Sequence, residues 1–226
     1  ARVAQADLVF INGLELEGFL QGLLNNASGH GDVIHSSEGI DTIDFEGEEF
    51  SGADPHVWTN PLNAKVWADN IAEALAQKDP ANANAYLANA ESYKAELDEL
   101  DRWAIDQITQ IPADERVLVT DHDAFAYFAD HYGFQIVGAL IPSYSTQSEA
   151  SGAELADLET AIQQYDVKAI FVGVSLNPIL AERVAADTGV KLVTIYTESL
   201  SNADGLSSTY LDMIRFDVQA IVEALK

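Results

Sequence analysis

The sequence contains no cysteine among its 226 residues. Disulfide bonds and thiol nucleophiles are therefore excluded, and any metal site must be built from histidine and carboxylate side chains. The sequence also lacks a run of about 18 apolar residues, so it predicts no membrane-spanning helix.

Basic residues are scarce: 11 Lys and Arg stand against 37 Asp and Glu, which gives a formal net charge of -26. So negative a surface repels phosphate backbones and anionic lipid headgroups, which disfavours nucleic acid and membrane surfaces as partners. It attracts cations, although solubility or salt adaptation would produce the same balance. The charge therefore predicts no nucleic-acid partner and leaves the ligand open.

Several enzyme motifs are missing as well. The sequence has no G-x-S-x-G elbow, no G-x-x-x-x-G-K-[ST] loop, no G-x-G-x-x-G after a strand and no H-E-x-x-H. These absences argue against serine hydrolases, P-loop enzymes, dinucleotide-dependent enzymes and the common zinc proteases.

The C-terminal half alternates between two kinds of pattern. Apolar runs typical of buried strands occur at 117–120, 134–140, 167–174 and 190–196, and helical patterns at 124–131, 153–165, 178–187 and 208–225. Such alternation predicts an α/β fold with a parallel sheet covered by helices. The carboxyl ends of the strands should share one edge, where open α/β sheets bind ligands.

A long helix is predicted over residues 81–111, which contain no Gly or Pro. About 30 helical residues would reach roughly 45 Å, longer than a small domain is wide. We interpret this helix as a strut between an N-terminal lobe (1–80) and a C-terminal lobe (112–226). The N-terminal lobe opens with an apolar strand at 7–12 and a helical pattern over 13–26.

Three side chains are candidate metal ligands. His56 and His122 each lie beside an Asp in a loop before a helix, and Glu198 directly follows the strand at 190–196. Imidazole and carboxylate suit zinc, and manganese where carboxylates dominate. The alternative for each His is a capping or surface role. The other histidines (His30, His35 and His131) are interpreted as solvated or structural.

Five segments, in order along the chain, resemble the zinc/manganese solute-binding proteins of bacterial ABC transporters, the ZnuA/TroA-like metal-binding lipoprotein family. They are ADLVFINGLELEGFL, DPHVWTNPLNAKVWADNIAEAL, TDHDAFAYFADHYGFQIVGALIPSYSTQSEAS, VKAIFVGVSLNPILAERVAADTGVKLVTIYTESLS and YLDMIRFDVQAIVEAL. The resemblance implies two Rossmann-like α/β lobes with parallel sheets, joined by one long rigid helix, with the metal held between the lobes.

The resemblance also implies the ligands. The D-P-H-x-W histidine of the family maps to His56, the residue opening H-D-A-F-x-Y-F maps to His122, and the acidic residue after the last long strand maps to Glu198. A fourth family ligand is a His in a P-H-x-Y-E-P-like segment that precedes A-D-L-V-F. That segment is not in this chain, so we expect the N-terminal lobe to be incomplete and the secretion signal to be absent.

Two positions depart from the family pattern. Glu198 replaces the usual Asp, which keeps the charge and moves the carboxylate by one methylene. Gly173 stands where the family tends to have the Glu of F-V-E. We call a residue an outer partner when it hydrogen-bonds to a metal ligand and does not itself bind the metal. At Gly173 we expect the loss of such an outer partner.

The resemblance predicts a monomeric, non-enzymatic protein outside the cytoplasm, either periplasmic or extracellular and membrane-anchored. It would capture zinc, with manganese as the second choice, and deliver the ion to an ABC permease. The first alternative is a zinc metallo-hydrolase in which two His and one Glu leave a coordination position for water. The second is an adhesion protein that keeps the fold without the metal.

Overall fold

The computed structural model describes residues 3–18, 22, 31–46, 51–143 and 150–226. The chain divides into two compact units. The first unit comprises Ala1–Ile43 and Ala53–Glu99, and the second comprises Asp44–Gly52 and Leu100–Lys226. The predicted boundaries at residues 80 and 112 and the linking role of the long helix stay predictions.

The strands and helices take their bounds from the backbone hydrogen bonds. The strands are β1 (Leu8–Ile11), β2 (Asp32–His35), β3 (Asp44–Glu46), β4 (Ser51–Ala53), β5 (Val117–His122), β6 (Gln135–Ile141), β7 (Ala169–Gly173) and β8 (Lys191–Ile195). The helices are α1 (Pro61–Lys78), α2 (Ala83–Ile108), α3 (Ala126–Tyr132), α4 (Gly152–Gln164), α5 (Ile179–Thr188) and α6 (Tyr210–Leu225).

The first unit contains a two-stranded parallel sheet. β1 pairs with β2 in the register Leu8↔Asp32 to Ile11↔His35. Helix α1 begins at Pro61, where the missing proline N–H costs nothing, and the Asn60 side chain accepts a hydrogen bond from Leu62 N at 2.9 Å. Of the predicted helix over 13–26, residues 13–18 and 22 are described, and residues 14–17 form a turn instead of a helix. Leu14 and Glu15 have positive φ angles of 54° and 64°, which a right-handed helix does not allow.

Helix α2 is shorter than predicted at both ends. Residues Pro80–Asn82 form a 3-10 turn before it. Proline has no backbone N–H, and the first residue of a helical turn needs none, so Pro80 is well placed to start this turn. At the far end, Ile111 N bonds to Ile108 O, a tighter i to i+3 bond, and Pro112 disfavours helical geometry at the residue before it. The 26 residues of α2 span about 39 Å.

The buried apolar positions of α2 are spaced three and four residues apart, which is the spacing of the apolar stripe on one face of an amphipathic helix. The buried members of this stripe are Leu97, Leu100, Ala104 and Ile108. In the first unit, α1 and α2 are also joined by two ion pairs, Lys65 to Asp98 at 2.5 Å and Lys94 to Asp69 at 2.7 Å. Because these pairs are partly exposed, the apolar stripe contributes more to stability than they do.

The second unit is built on a parallel four-stranded sheet in the order β6-β5-β7-β8. The chain moves from β5 outward to β6 and then returns to the other side of β5 to form β7. This reversal makes the carboxyl ends of β5 and β7 a topological switch point, the place where open α/β sheets bind ligands. His122 ends β5 and Gly173 ends β7.

The core of the second unit explains the apolar strands seen in the sequence. All six residues of β5 and all five of β7 are buried. Helices α4 and α5 pack against them through side chains of one cluster, which includes Leu158, Ile162, Ala181 and Val184. The predicted α/β fold with parallel sheets is confirmed.

Local chemistry sets several helix ends of the second unit. Ser151 and Glu154 form a reciprocal capping box at the start of α4. Helix α3 ends at Gly133, whose φ of 72° is a left-handed conformation that glycine adopts without a Cβ clash. Across the described ranges, no helix combines the length and apolarity needed to cross a bilayer.

Candidate metal centre

His56 lies in the first unit, at the end of the Asp54-Pro55-His56 loop, and is fully buried. Asp54 Oδ1 accepts hydrogen bonds from the His56 backbone N–H at 2.9 Å and from His56 Nδ1 at 2.8 Å. Because a carboxylate only accepts, Nδ1 carries a proton, and in the neutral ring Nε2 then holds the lone pair that binds a metal. The ring is thus oriented as in metal-binding histidines.

A chain of polar side chains supports this loop from within the first unit. Trp67 Nε1 donates to Ser37 Oγ at 2.9 Å, and Ser37 Oγ donates to Asn12 Oδ1 at 2.9 Å. Asn12 Nδ2 in turn donates to Pro55 O at 3.1 Å, one residue before His56. Sequence reasoning missed these three residues, since nothing in their spacing links them to the loop.

His122 lies in the second unit as the last residue of β5 and is also fully buried. Asp121 Oδ1 accepts from His122 N at 2.7 Å and from Nδ1 at 2.6 Å, the same arrangement as at His56. His122 Nε2 lies 3.2 Å from Glu198 Oε1. The fold therefore brings together two of the predicted ligands, which are 76 residues apart in the sequence.

The charges around His122 favour a cation. Burial opposes the charged form of the ring, but the hydrogen bonds and charges of Asp121 and Glu198 outweigh it and raise the pKa of His122 to about 9. A metal that binds Nε2 must displace the proton held there, and it would gain the same attraction from the two carboxylates. The position between His122 Nε2 and Glu198 can therefore hold either a proton or a metal ion.

Glu198 follows β8 by three residues, since the strand ends at Ile195 rather than at the predicted residue 196. The exit of the strand is held by Asp217 of α6, whose Oδ1 accepts from Tyr196 N at 2.8 Å. Burial raises the pKa of Asp217 to about 8, although the hydrogen bond from Tyr196 opposes the rise. Sequence reasoning missed Asp217, because an Asp at a core position of an amphipathic helix gives no signal of its partner.

The remaining histidines take other places. His35 ends β2 and is exposed. His131 lies in the last turn of α3, and its Nε2 is 2.7 Å from Asp101 Oδ1, which fits the structural role expected from the sequence. His30 lies outside the described residues. The grouping of His56 with His122 and Glu198 stays a prediction.

Fold and side chains together define a class: a parallel α/β protein with buried, aspartate-oriented histidines suited to a divalent transition metal. The family profile described as "Zinc-uptake complex component A periplasmic" matches residues 1–224. The chain belongs to this family, which confirms the resemblance seen in the sequence.

Two curated relatives match nearly the whole chain. The "Manganese-binding lipoprotein MntA" of Halalkalibacterium halodurans is 34% identical over 224 residues, which are 99% of this chain and 73% of the relative. The "Manganese ABC transporter substrate-binding lipoprotein PsaA" of Streptococcus anginosus is 32% identical over 232 residues, 99% of this chain and 74% of the relative.

Solved structures agree with the fold. The "periplasmic zinc binding protein TroA" from Treponema pallidum has a TM-score of 0.90 at 30% identity, covering 99% of this chain and 82% of that one. A Mn-bound periplasmic metal binding protein from candidatus Liberibacter asiaticus has a TM-score of 0.88 at 28% identity, covering 100% of this chain and 83% of that one.

These matches confirm the predicted class: an extracytoplasmic metal-binding component of an ABC transporter. The names of these similar proteins include zinc and manganese, the two cargo ions expected from the sequence. The comparisons give no support to the metallo-hydrolase alternative.

Proposed function

We propose that this chain binds a divalent transition metal outside the cytoplasm through His56, His122 and Glu198 and delivers it to an ABC permease. The observation that carries the proposal is the close approach of the His122 and Glu198 side chains. A buried imidazole, oriented by Asp121, lies with its Nε2 3.2 Å from a carboxylate oxygen. Such a pair supplies two ligands of a first coordination shell with the outer partner already in place.

His56 supplies the third ligand in this proposal. Its ring has the same outer partner, an aspartate that accepts from Nδ1, and the same complete burial. Metal-ligating histidines almost always donate their other ring N–H to a carboxylate, a backbone carbonyl or water. The similarity of the two Asp–His pairs therefore supports His56 as a ligand.

Zinc is the proposed cargo, with manganese second. Two imidazole nitrogens and one carboxylate form a nitrogen-rich set that suits zinc, whereas manganese prefers more oxygen ligands. The names of the relatives point both ways, to manganese in MntA and PsaA and to zinc in TroA. The proposed donor set of this chain favours zinc.

The proposal extends to the way the protein works. Its family consists of transport proteins that bind substrates, and we infer that this chain likewise catalyses no reaction. It acts as a monomer with the metal ion and the permease as its partners, and it binds no nucleic acid, since its net charge of -26 repels phosphate.

A titration of zinc and of manganese into chelator-treated protein tests the proposal. His56→Ala, His122→Ala and Glu198→Ala should each weaken zinc binding by more than the roughly 10–100-fold typical of an outer partner. His35→Ala is the matched control, because His35 is an exposed histidine of the first unit, and it should bind zinc as the wild type does. Tighter binding of manganese than of zinc, or unchanged affinity in the three variants, would contradict the proposal.

A further inference from the structure

The carboxylate of Asp121 connects two neighbouring strands of the second unit. Its Oδ1 accepts from the backbone N–H and from Nδ1 of His122, at 2.7 and 2.6 Å. Its Oδ2 accepts from the backbone N–H of Gly173 in a short hydrogen bond. Asp121 is only 2% exposed, so these hydrogen bonds satisfy a carboxylate that water scarcely reaches.

A side chain at position 173 would be crowded by its neighbours. A Cβ at Gly173 would lie 2.5 Å from Thr197 Oγ1 and 3.0 Å from Asp121 Oδ2. Both distances are shorter than an ordinary van der Waals contact. A side chain here would therefore require Thr197 or Asp121 to move, whereas the backbone conformation, whose φ is not positive, would accept one.

The two atoms that crowd position 173 belong to residues beside the proposed ligands. Asp121 orients His122, and Thr197 immediately precedes Glu198. A side chain at 173 would therefore push on the supports of both ligands of the second unit. In this chain Asp121 is an outer partner of His122, and Gly173 leaves it the space. That Gly173 costs the site the partner supplied by the family's Glu stays a prediction.

We propose that Gly173 and Asp121 are a matched pair of positioning residues for His122. Asp121 holds the ring through Nδ1, and Gly173 anchors the carboxylate through its amide and by its lack of a side chain. A substitution at either position reorients the same imidazole, so the effects of the two substitutions are not independent. The inference rests on the proposed function, because its consequence is a change in metal affinity.

The test measures zinc affinity, by competition with a chromophoric chelator, in Gly173→Ala, Asp121→Ala and the double variant. Each single substitution should weaken binding about 10–100-fold, as the loss of an outer partner does. In the Asp121→Ala background, Gly173→Ala should cost markedly less than in the wild type. Gly152→Ala is the matched control, because nothing lies within 4 Å of the added Cβ, and it should leave zinc affinity unchanged.

A second measurement separates positioning from folding and from the proposed function. The His122 Nδ1 proton of the metal-free chain, observed by NMR, should be shifted downfield by its bond to Asp121. That resonance should be lost in Asp121→Ala and moved in Gly173→Ala, whether or not the wild type binds zinc. Wild-type zinc affinity in Gly173→Ala, losses that multiply fully in the double variant, or an unaltered Nδ1 resonance would each overturn the proposal.

Discussion

Single aspartates set the orientation of the buried imidazoles in both units. Asp54 and Asp121 each accept from Nδ1 of a histidine close in sequence. A third buried aspartate, Asp217, works on the backbone instead and holds the exit of β8 through Tyr196 N. The role of each aspartate depends on the group that it accepts a hydrogen bond from. A substitution that keeps the shape of the side chain and removes its charge therefore tests that role.

Asp217→Asn should alter how stability depends on pH. The pKa of Asp217 is raised from 3.8 to about 8, so the folded state retains a proton that the unfolded chain has lost. The free energy of unfolding of the wild type should therefore decline as the pH rises from about 4 to 8. The asparagine can still accept a hydrogen bond from Tyr196 N, but it does not titrate. The free energy of unfolding of Asp217→Asn should therefore decline less over this pH range.

Urea denaturation of both proteins at a series of pH values measures this difference. The matched control is Glu223→Gln on the same helix, since Glu223 is exposed. Its curve should follow the wild type. Parallel curves for wild type and Asp217→Asn would show that Asp217 titrates normally.

Within the second unit, the part of α2 from Leu100 onward is joined to α3 by a buried carboxylate. Asp101 Oδ1 accepts from Tyr132 Oη at 3.0 Å and lies 2.7 Å from His131 Nε2. Burial and the neighbouring Asp101 carboxylate raise the pKa of Tyr132, so its hydroxyl stays a donor at any ordinary pH. This contact fixes the last two turns of α2 against α3, the helix that follows His122.

Asp101→Ala should destabilise the protein by about 1–3 kcal/mol, because it leaves the buried Tyr132 hydroxyl without its acceptor. Thermal unfolding followed by circular dichroism measures the loss. Asp106→Ala removes the same charge from an exposed position of α2 and should change stability by no more than about 0.5 kcal/mol. Equal losses in the two variants would show that helix charge, not the buried contact, is responsible.

The whole molecule carries a charge far from zero. With a formal net charge of -26, its carboxylates repel one another across the surface, and folding brings them closer together. Salt shortens the reach of this repulsion to about 8 Å at physiological ionic strength. The same field raises the local concentration of cations, which helps a protein that captures metal ions.

The melting temperature should therefore rise between about 20 and 200 mM NaCl, where screening changes most and the salting-out of apolar surface is still small. Differential scanning calorimetry of the metal-free protein measures the rise. Sucrose at matched osmolality is the control for effects that do not involve charge. A melting temperature that stays constant or falls with salt would contradict the role given to self-repulsion.

Much of the fold could be predicted from the sequence because it depends on local periodicity. The apolar runs at 117–120 and 167–174 contain residues of the fully buried strands β5 and β7. Four apolar residues of α2, spaced three or four positions apart, are buried as well. Residues 14–17 of the predicted helix over 13–26 form a turn instead. The differences at α2 lie at its two ends, in the first and last turns. There hydrogen bonds near Pro80 and Pro112 compete with helix propensity.

The sequence by itself determined the α/β class, the family and the candidate ligands His56, His122 and Glu198, because these follow from residue type and order along the chain. Only the tertiary structure decided which groups support them. The bonds from Gly173 to Asp121, from Asn12 to Pro55 and from Tyr196 to Asp217 join residues that are 52, 43 and 21 positions apart. Such contacts depend on which strands and helices become neighbours, and packing settles that, whereas local sequence does not.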